Sequence, residues 1–220
     1  MTKHSIIMTV WNREPEVLLA TLRALSRCDL SDSEVVLVND RSDMDYSWIR
    51  AYAEPRLAGF RWIDLEPYEA FRIAGGFNNP ARAFNAALLA ATGDNLVILS
   101  SDVLMPPKTF ERIRRFDLSE MAVTPLVTDL ESGMQYCGPM RLFPMPWCLA
   151  ARREHALDIN GWDENYLRGM CYEDNDFVGR LVMRAKRFVA DWSVVAYHQS
   201  HDQPAYKVDD PVVMAANERN

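Results

Sequence analysis

Short apolar runs and helix-spaced apolar stripes alternate along the first half of the chain. Residues 5–10, rich in Ile, Met, Thr and Val, predict a strand that Trp11, Asn12 and Arg13 then turn. Pro15 suits the first position of a helix, where a backbone N–H is not needed. Leu18, Leu22 and Leu25, with Val17, Thr21 and Ala24 beside them, keep one apolar stripe at helical spacing as far as Cys28. The run EVVLV over 34–38 predicts a second buried strand, ending in Asn39, Asp40, Arg41 and Ser42. Strand, helix and strand in such close succession form a βαβ unit with a parallel pair.

The pattern continues with a short helix over 46–53, a weaker strand over 60–63, and a loop over 66–79 expected to be mobile at Gly75 and Gly76. Pro80 opens a helix, ARAFNAALLAAT, that Gly93 stops. Next comes the most telling stretch, 95–103. Its four continuous apolar residues, 96–99, predict a strand buried on both faces, which halts at Ser100, Ser101 and Asp102. A helix over 107–116 and a strand over 121–125 follow. From 128 to 147, Gly133, Gly138, Pro139, Pro144 and Pro146 break the pattern, which reads as hairpin and loop on the sheet's edge. Then come a helix over 152–157, a turn at Asn160 and Gly161, a helix over 174–187 and a last strand over 192–197 running into His198. The polar remainder, 202–220, with Pro204 and Pro211, reads as a flexible tail. The expected architecture is a single α/β domain over 1–201 with a mostly parallel central sheet flanked by helices.

Composition narrows the partners. At 220 residues, 49% apolar and 25% charged, the chain suits one globular domain with a sizeable core. A net charge of -7 argues against a duplex nucleic acid groove, and Arg112, Arg114 and Arg115 read as an exposed helix face. No apolar run approaches the ~20 residues of a membrane span, and no signal peptide is evident. A cytoplasmic protein is expected, with a peripheral role at a membrane left open. Cys28, Cys137, Cys148 and Cys171 are scattered, which predicts free, packed thiols.

The chain has no G-x-G-x-x-G, phosphate-loop or nucleophile-elbow motif. What it has are polar residues just past predicted strands: Thr9, Asn12 and Arg13, then Asp40 and Ser42, then Ser101 and Asp102. In an open parallel sheet these loops share one rim, the crevice where ligands bind. Each also has a plain structural alternative. Asp40 could serve a turn and Asp102 could cap the following helix. Glu173, Asp174 and Asp176 could complement a helix dipole. His198 and His201 form H-x-x-H, which by itself is more often a polar strand end than a metal site.

The order SIIMTVWNR, VVLVNDRSD, ARAFNAALLAATGDNLVILSSDV and, later, INGWDENYLRGMCYEDNDFVGRL and VVAYHQSH resembles glycosyltransferase family 2 enzymes of the GT-A fold, over about 5–201. The resemblance implies a nucleotide-binding half, 1–103, and an acceptor-binding half, 104–201. It implies that Thr9, Asn12, Arg13, Asp40, Arg82, Asn85, Ser101 and Asp102 line the nucleotide-sugar pocket. Asp102 matches the second carboxylate of the D-x-D metal motif, and His198 a late metal-binding histidine. Asp174 matches the catalytic base of inverting members, with Glu173 beside it to hold the acceptor or orient Asp174. One departure matters: Ser100 stands where the first D-x-D carboxylate would be, so the motif is S-S-D. Asp102, a histidine, the diphosphate and waters would then hold Mn²⁺ or Mg²⁺, the histidine favouring Mn²⁺.

The function so implied is metal-dependent, inverting transfer of a sugar from a nucleotide-sugar, with a UDP-sugar expected, to a hydroxyl of a saccharide or other acceptor. A retaining transferase on the same fold, and a nucleotide-sugar-binding protein without catalysis (suggested by Ser100), are the alternatives. Trp162 and Tyr172 could stack on an acceptor sugar or simply pack. Arg41, Arg72 and Arg168 could reach a phosphate.

Overall fold

A computed structural model describes residues 3–66, 79–138, 145–168 and 172–201. The expected mobile glycines Gly75 and Gly76, Arg72, Cys171 and the 202–220 tail lie outside the described residues. In chain order the elements are β1 His4–Val10, α1 Pro15–Leu25, β2 Ser33–Asn39, α2 Ser47–Ala53, β3 Phe60–Asp64, α3 Ala81–Ala90, β4 Asn95–Leu99, β5 Val103–Leu104, α4 Pro107–Ile113, β6 Met121–Asp129, β7 Gln135–Cys137, β8 Cys148–Arg152, α5 Arg153–Asp158, a 3-10 turn Glu164–Arg168, α6 Glu173–Ala185 and β9 Arg187–His198. None of the described helices is long and apolar enough to cross a membrane.

The two-residue period of the strands divides the core into two halves. Ile6, Met8, Val10, Val35, Leu37, Val97 and Leu99 pack with Leu18, Leu22, Ile49 and Phe110 from α1, α2 and α4. Ile7, Val36, Val38, Leu96 and Ile98 pack with Phe84, Leu88, Phe177 and Leu181 from α3 and α6. Each of these central strand residues is fully or almost fully buried, a contribution of roughly 1.5–3 kcal/mol per large side chain. The continuous apolar runs follow from this arrangement, because both faces of the sheet are covered by helices.

The strand order is β3-β2-β1-β4-β8-β6-β9-β5, with β7 paired to β6. The sheet is mixed, which corrects the expectation of a mostly parallel one. β1, β2, β3 and β4 pair in parallel, but β8 enters antiparallel between β4 and β6, from Asn95↔Arg152 to Leu99↔Cys148. Sequence reading placed no strand at β8, because two prolines precede it and its small Ala150 and Ala151 give a weak apolar signal. β6 and β9 pair in parallel, while β5 and β7 run antiparallel to their neighbours. β6 extends past Pro125, where the strand had been expected to end. Pro125 lacks an N–H for the ladder, and the register shifts there, from Pro125↔Asp191 to Leu126↔Val195. The intervening Trp192–Val194 segment is tied back by Asp191 Oδ1, which accepts from Ser193 N at 3.0 Å and Ser193 Oγ at 2.6 Å.

The pairings set β1, β2, β3, β4, β6 and β9 in one direction, so their C-terminal ends share one rim. The opposite rim is knotted by Glu34. Its Oε1 accepts from Ser5 Oγ at 2.6 Å, Thr92 N at 2.6 Å and Thr92 Oγ1 at 2.8 Å, and its Oε2 meets Arg61 at 2.7 Å.

Candidate active site

Asp102 lies between β4 and β5, held by backbone bonds from Val103 N to Ser100 O at 3.1 Å and from Gln199 N to Asp102 O at 2.8 Å. It caps nothing. The residue before α4 is Pro106, with no side-chain cap. The Asp102 carboxylate is buried, and its Oδ2 lies 3.0 Å from Arg13 Nη2, 3.3 Å from His201 Nε2 and 4.0 Å from His198 Nε2. Burial alone would raise its pKa. The His201 hydrogen bond, the Arg13 charge and the neighbouring His198 and Ser100 outweigh burial and hold it at about 2. Its Oδ1 is buried with no hydrogen-bond partner among the described residues, a costly state for a carboxylate oxygen.

Asp102, His198 and His201 each offer one ligand atom, and these atoms all lie within 4.8 Å of one another. A carboxylate and two imidazoles suit a transition-metal dication such as Mn²⁺ better than Mg²⁺. The orphaned Oδ1 gives such an ion an oxygen with no other partner, so the residues present fit a divalent metal. Of H-x-x-H, sequence reading favoured His198; the structure brings both histidines to Asp102.

His198 ends β9, opposite Val103 of β5 and Asp129 of β6. Its Nδ1 lies 3.2 Å from Asp129 Oδ2, and the Tyr136 and Trp147 rings lie together on one side of it at centroid distances of 5.1 and 6.0 Å. Asp129 is held well below the ordinary carboxylate range, first by Ser132 N–H and O–H, then by His198. Sequence reading missed Asp129. Its signal is that of Asp102, a carboxylate just where an apolar strand stops, in MAVTPLVTD. Gln199 was missed too; its Nε2 donates to Val17 O at 3.1 Å and Thr21 Oγ1 at 2.9 Å, pinning the end of β9 to α1.

The other expected pocket residues divide. Thr9 is half-buried on β1, paired with Val38. Asn12 takes a left-handed conformation, φ 43°, and ties the first rim loop to the second: its N–H donates to Ser42 Oγ at 2.9 Å, and its Oδ1 accepts from Asp43 N at 2.7 Å. Arg13 reaches Asp102 directly. Asp40 is buried at the end of β2, 3.0 Å from Arg41 Nε, so that arginine is engaged at the rim. Ser101 is buried, its carbonyl accepting from Thr21 Oγ1 at 2.9 Å. Arg82 is half-buried in the first turn of α3. Asn85, one turn on, serves the 161–164 turn instead: its Oδ1 accepts from Trp162 N at 2.8 Å, and its Nδ2 donates to Trp162 O at 2.9 Å and Glu164 Oε1 at 3.0 Å. Beside it opens a groove of about 770 Å³, lined among others by Asn85, Leu88, Trp162, Glu164 and Arg180. None of Asp102, His198 and Asp174 lines this groove, and Arg180 is already held by Asp176 Oδ2 and Ile159 O.

Glu173 and Asp174 open α6 after Tyr172, which adopts the left-handed conformation at φ 69°. Asp174 is half-buried and accepts from Trp162 Nε1 at 3.4 Å. Burial raises its pKa, opposed by that indole N–H. Glu173 is buried, and its Oε2 has no hydrogen-bond partner among the described residues. Burial, and then the Asp174 charge, push its pKa up. Two raised carboxyls side by side are a common arrangement for acid–base chemistry. Asp176 has a plain structural role, pairing with Arg180. Trp162 cannot stack on an acceptor sugar: Phe84 covers one face at 4.6 Å and Phe177 the other at 3.5 Å, nearly parallel. Among the described residues Cys28, Cys137 and Cys148 are free thiols.

The family model described as "Glycosyl transferase family 2" matches residues 5–128. No match was found among the curated proteins. Among solved structures the fold is similar to that of S. aureus TarS 1-349 in complex with UDP-GlcNAc, with TM-score 0.76, 18% identity, and coverage of 97% of this chain and 64% of that one. It is also similar to the mannosyltransferase PcManGT from Pyrobaculum calidifontis in complex with GDP-Man and Mn²⁺, with TM-score 0.65, 20% identity, and coverage of 94% of this chain and 58% of that one. The chain thus spans less than two thirds of the length of either.

Proposed function

The chain belongs to glycosyl transferase family 2, and from that premise we propose that it is a metal-dependent, inverting glycosyltransferase using a nucleotide-sugar donor. One observation carries the reading: Asp102, His198 and His201 converge on one point beside a buried carboxylate oxygen that has no hydrogen-bond partner among the described residues. The similar folds of TarS with UDP-GlcNAc and of PcManGT with GDP-Man and Mn²⁺ support a nucleotide-sugar and a divalent ion; a UDP-sugar is the preferred donor. In this reading residues 1–103 hold the donor and 104–201 the acceptor.

Asp102, His198 and His201 would hold the cation, which would supply Lewis-acid stabilisation of the departing diphosphate. Arg13, at the same carboxylate, offers a guanidinium fork to phosphate oxygens. Thr9, Asn12, Asp40, Ser101 and Arg82 shape the base and ribose pocket. Asp174 takes the proton of the acceptor hydroxyl, an effect worth about 10²–10⁴-fold. Its raised pKa suits a base that must accept a proton near neutrality, and the rigid start of α6 aims it. Glu173, largely protonated in this setting, holds the acceptor or orients Asp174. Attack from the face opposite the leaving group inverts the anomeric carbon.

Calorimetric titration of UDP and UDP-sugars with and without Mn²⁺, followed by UDP release and the anomeric configuration of the product, tests the reading. Binding that requires Mn²⁺ and is lost in Asp102→Ala is expected, with UDP released on turnover. Nucleotide-sugar binding with no turnover under any acceptor would favour the binding-only reading that Ser100 suggests, and a retained anomer would replace the inverting mechanism.

A further inference from the structure

Three hydrogen-bonded strand ends meet at the proposed cation site, and one of them carries a carboxylate with no ligand role. β9 lies between β6 and β5, and His198 stands opposite both Asp129 and Val103, the residue after Asp102. The backbone adds Leu130 N→His198 O at 2.9 Å and Gln199 N→Asp102 O at 2.8 Å. The order across the rim is therefore Asp129, His198, Asp102.

The two oxygens of Asp129 are divided between tasks. Oδ1 accepts from Ser132 N at 2.8 Å, Ser132 Oγ at 2.8 Å and Glu131 N at 3.2 Å, which locks the carboxylate plane to its own turn. Oδ2 is left facing His198 Nδ1 at 3.2 Å. A carboxylate can only accept there, so the proton of a neutral imidazole sits on Nδ1. The Nε2 lone pair then points towards Asp102 Oδ2, 4.0 Å away. Two acceptors face each other across a gap that a cation would fill. The Tyr136 and Trp147 rings, packed edge-on against each other at 4.3 Å, lie together against one side of the imidazole.

We propose that Asp129 is a positioning residue for the cation, fixing His198 in its Nδ1–H tautomer and so presenting the Nε2 lone pair as a ligand. The inference rests on the metal-dependent reading above and adds to it a residue that touches neither donor nor cation. A histidine ligand whose far nitrogen is held by a carboxylate is better oriented and more basic, and losing such a partner costs about 10–100-fold in metal affinity.

Asp129→Asn separates this role from the turn. The amide oxygen replaces Oδ1 on its N–H and O–H donors, and the amide nitrogen replaces Oδ2. It donates to Nδ1, forces the Nε2–H tautomer and removes the ligand lone pair. The full chain is titrated with Mn²⁺ in the presence of UDP, followed by electron paramagnetic resonance of free Mn²⁺. His198 ring nitrogens are observed by NMR in the metal-free protein at alkaline pH. The expected result is an Nδ1–H tautomer in the wild type, an Nε2–H tautomer in Asp129→Asn, and Mn²⁺ binding weakened about 10–100-fold with the melting temperature nearly kept. Wild-type Mn²⁺ affinity in Asp129→Asn, alongside weakened binding in His198→Ala, overturns the inference and leaves the metal reading standing. Unchanged binding in His198→Ala and Asp102→Asn as well overturns the metal reading and this inference with it. If Asp129→Asn does not fold, the wild-type spectrum decides alone: an Nε2–H tautomer of His198 overturns the proposal.

Discussion

Trp162→Phe isolates a single hydrogen bond to the proposed base. The indole is clamped between Phe84 and Phe177, and its Nε1 donates to Asp174 Oδ1 at 3.4 Å. Phenylalanine keeps a ring in the clamp and removes the N–H. At that distance the bond lies at the weak end for an ionised acceptor, about 1 kcal/mol. An indole N–H only donates, so it stabilises the carboxylate and not the acid. Its loss should therefore raise the pKa of Asp174 by about 0.7 unit, at ~1.36 kcal/mol per unit. The sign is fixed, because burial already pushes this carboxyl up and Trp162 opposes it. A general base works only when ionised, so the acidic limb of kcat against pH should move to higher pH by about 0.7 unit with its plateau kept. Removing the second ring should also cost about 1–3 kcal/mol of packing, read separately by thermal melting. The assay is UDP release across the pH range at saturating donor, with any acceptor that supports turnover, water included. A limb that stays in place while activity falls equally at every pH would refute Asp174 as the base partnered by this indole.

Glu173→Gln should melt higher than the wild type at alkaline pH and alike near pH 4, by calorimetry. The folded pKa of Glu173 is raised by burial and then by Asp174, so its stabilising contribution is complete below the unfolded pKa and lost as pH rises through the folded one; a pH-independent difference would contradict this. Gly161→Ala should lose about 2–3 kcal/mol, or roughly 2–4 °C of Tm per kcal/mol, because the φ of 65° disfavours a Cβ and that Cβ would meet Asn85 Oδ1. An unchanged melting curve would show that the turn relaxes freely. Glu34→Ala should cost about 3–5 kcal/mol by denaturant titration, since it strands Ser5, Thr92 and Arg61. The pKa of Glu34 is lowered because its hydrogen bonds and Arg61 outweigh burial. The wild type therefore loses this stabilisation as pH falls through the folded value, and the variant should show a shallower acid transition.

The parts of the fold that sequence reveals are those where one local signal dominates. The 96–99 run can only be a strand covered on both sides, and Asp102 after it inherits a place on the rim. Pro15 and Gly93 punctuate helices by backbone chemistry alone. β8 escapes notice because its residues are small and apolar in a stretch full of prolines, and only its neighbours β4 and β6 make it a strand. Pro125 misleads for the opposite reason, a strand-breaking residue accommodated by a bulge in which Asp191 and Ser193 take part. At the site, Arg13, Asp102 and His198 were legible and the structure brings them together. Asp129 becomes visible only once β6 and β9 are known to be partners. The fate of Trp162 depends on Phe84 and Phe177, which lie far from it in sequence. Asn85, a polar residue on a helix with an apolar face, looks equally suited to a ligand or to a turn, and the structure gives it to the turn.

The place of β9 has a consequence for how the molecule comes into being. β5 is two residues long and is joined to the sheet through β9; until 187–198 have left the ribosome, the loop bearing Asp102 has no neighbour on that flank, and Asp129 faces an open slot. In the proposed reading, competence for cation capture therefore waits on β9. In that reading, a chain without β9 would keep the Asp40 rim and lack the His198 side of the proposed cation site.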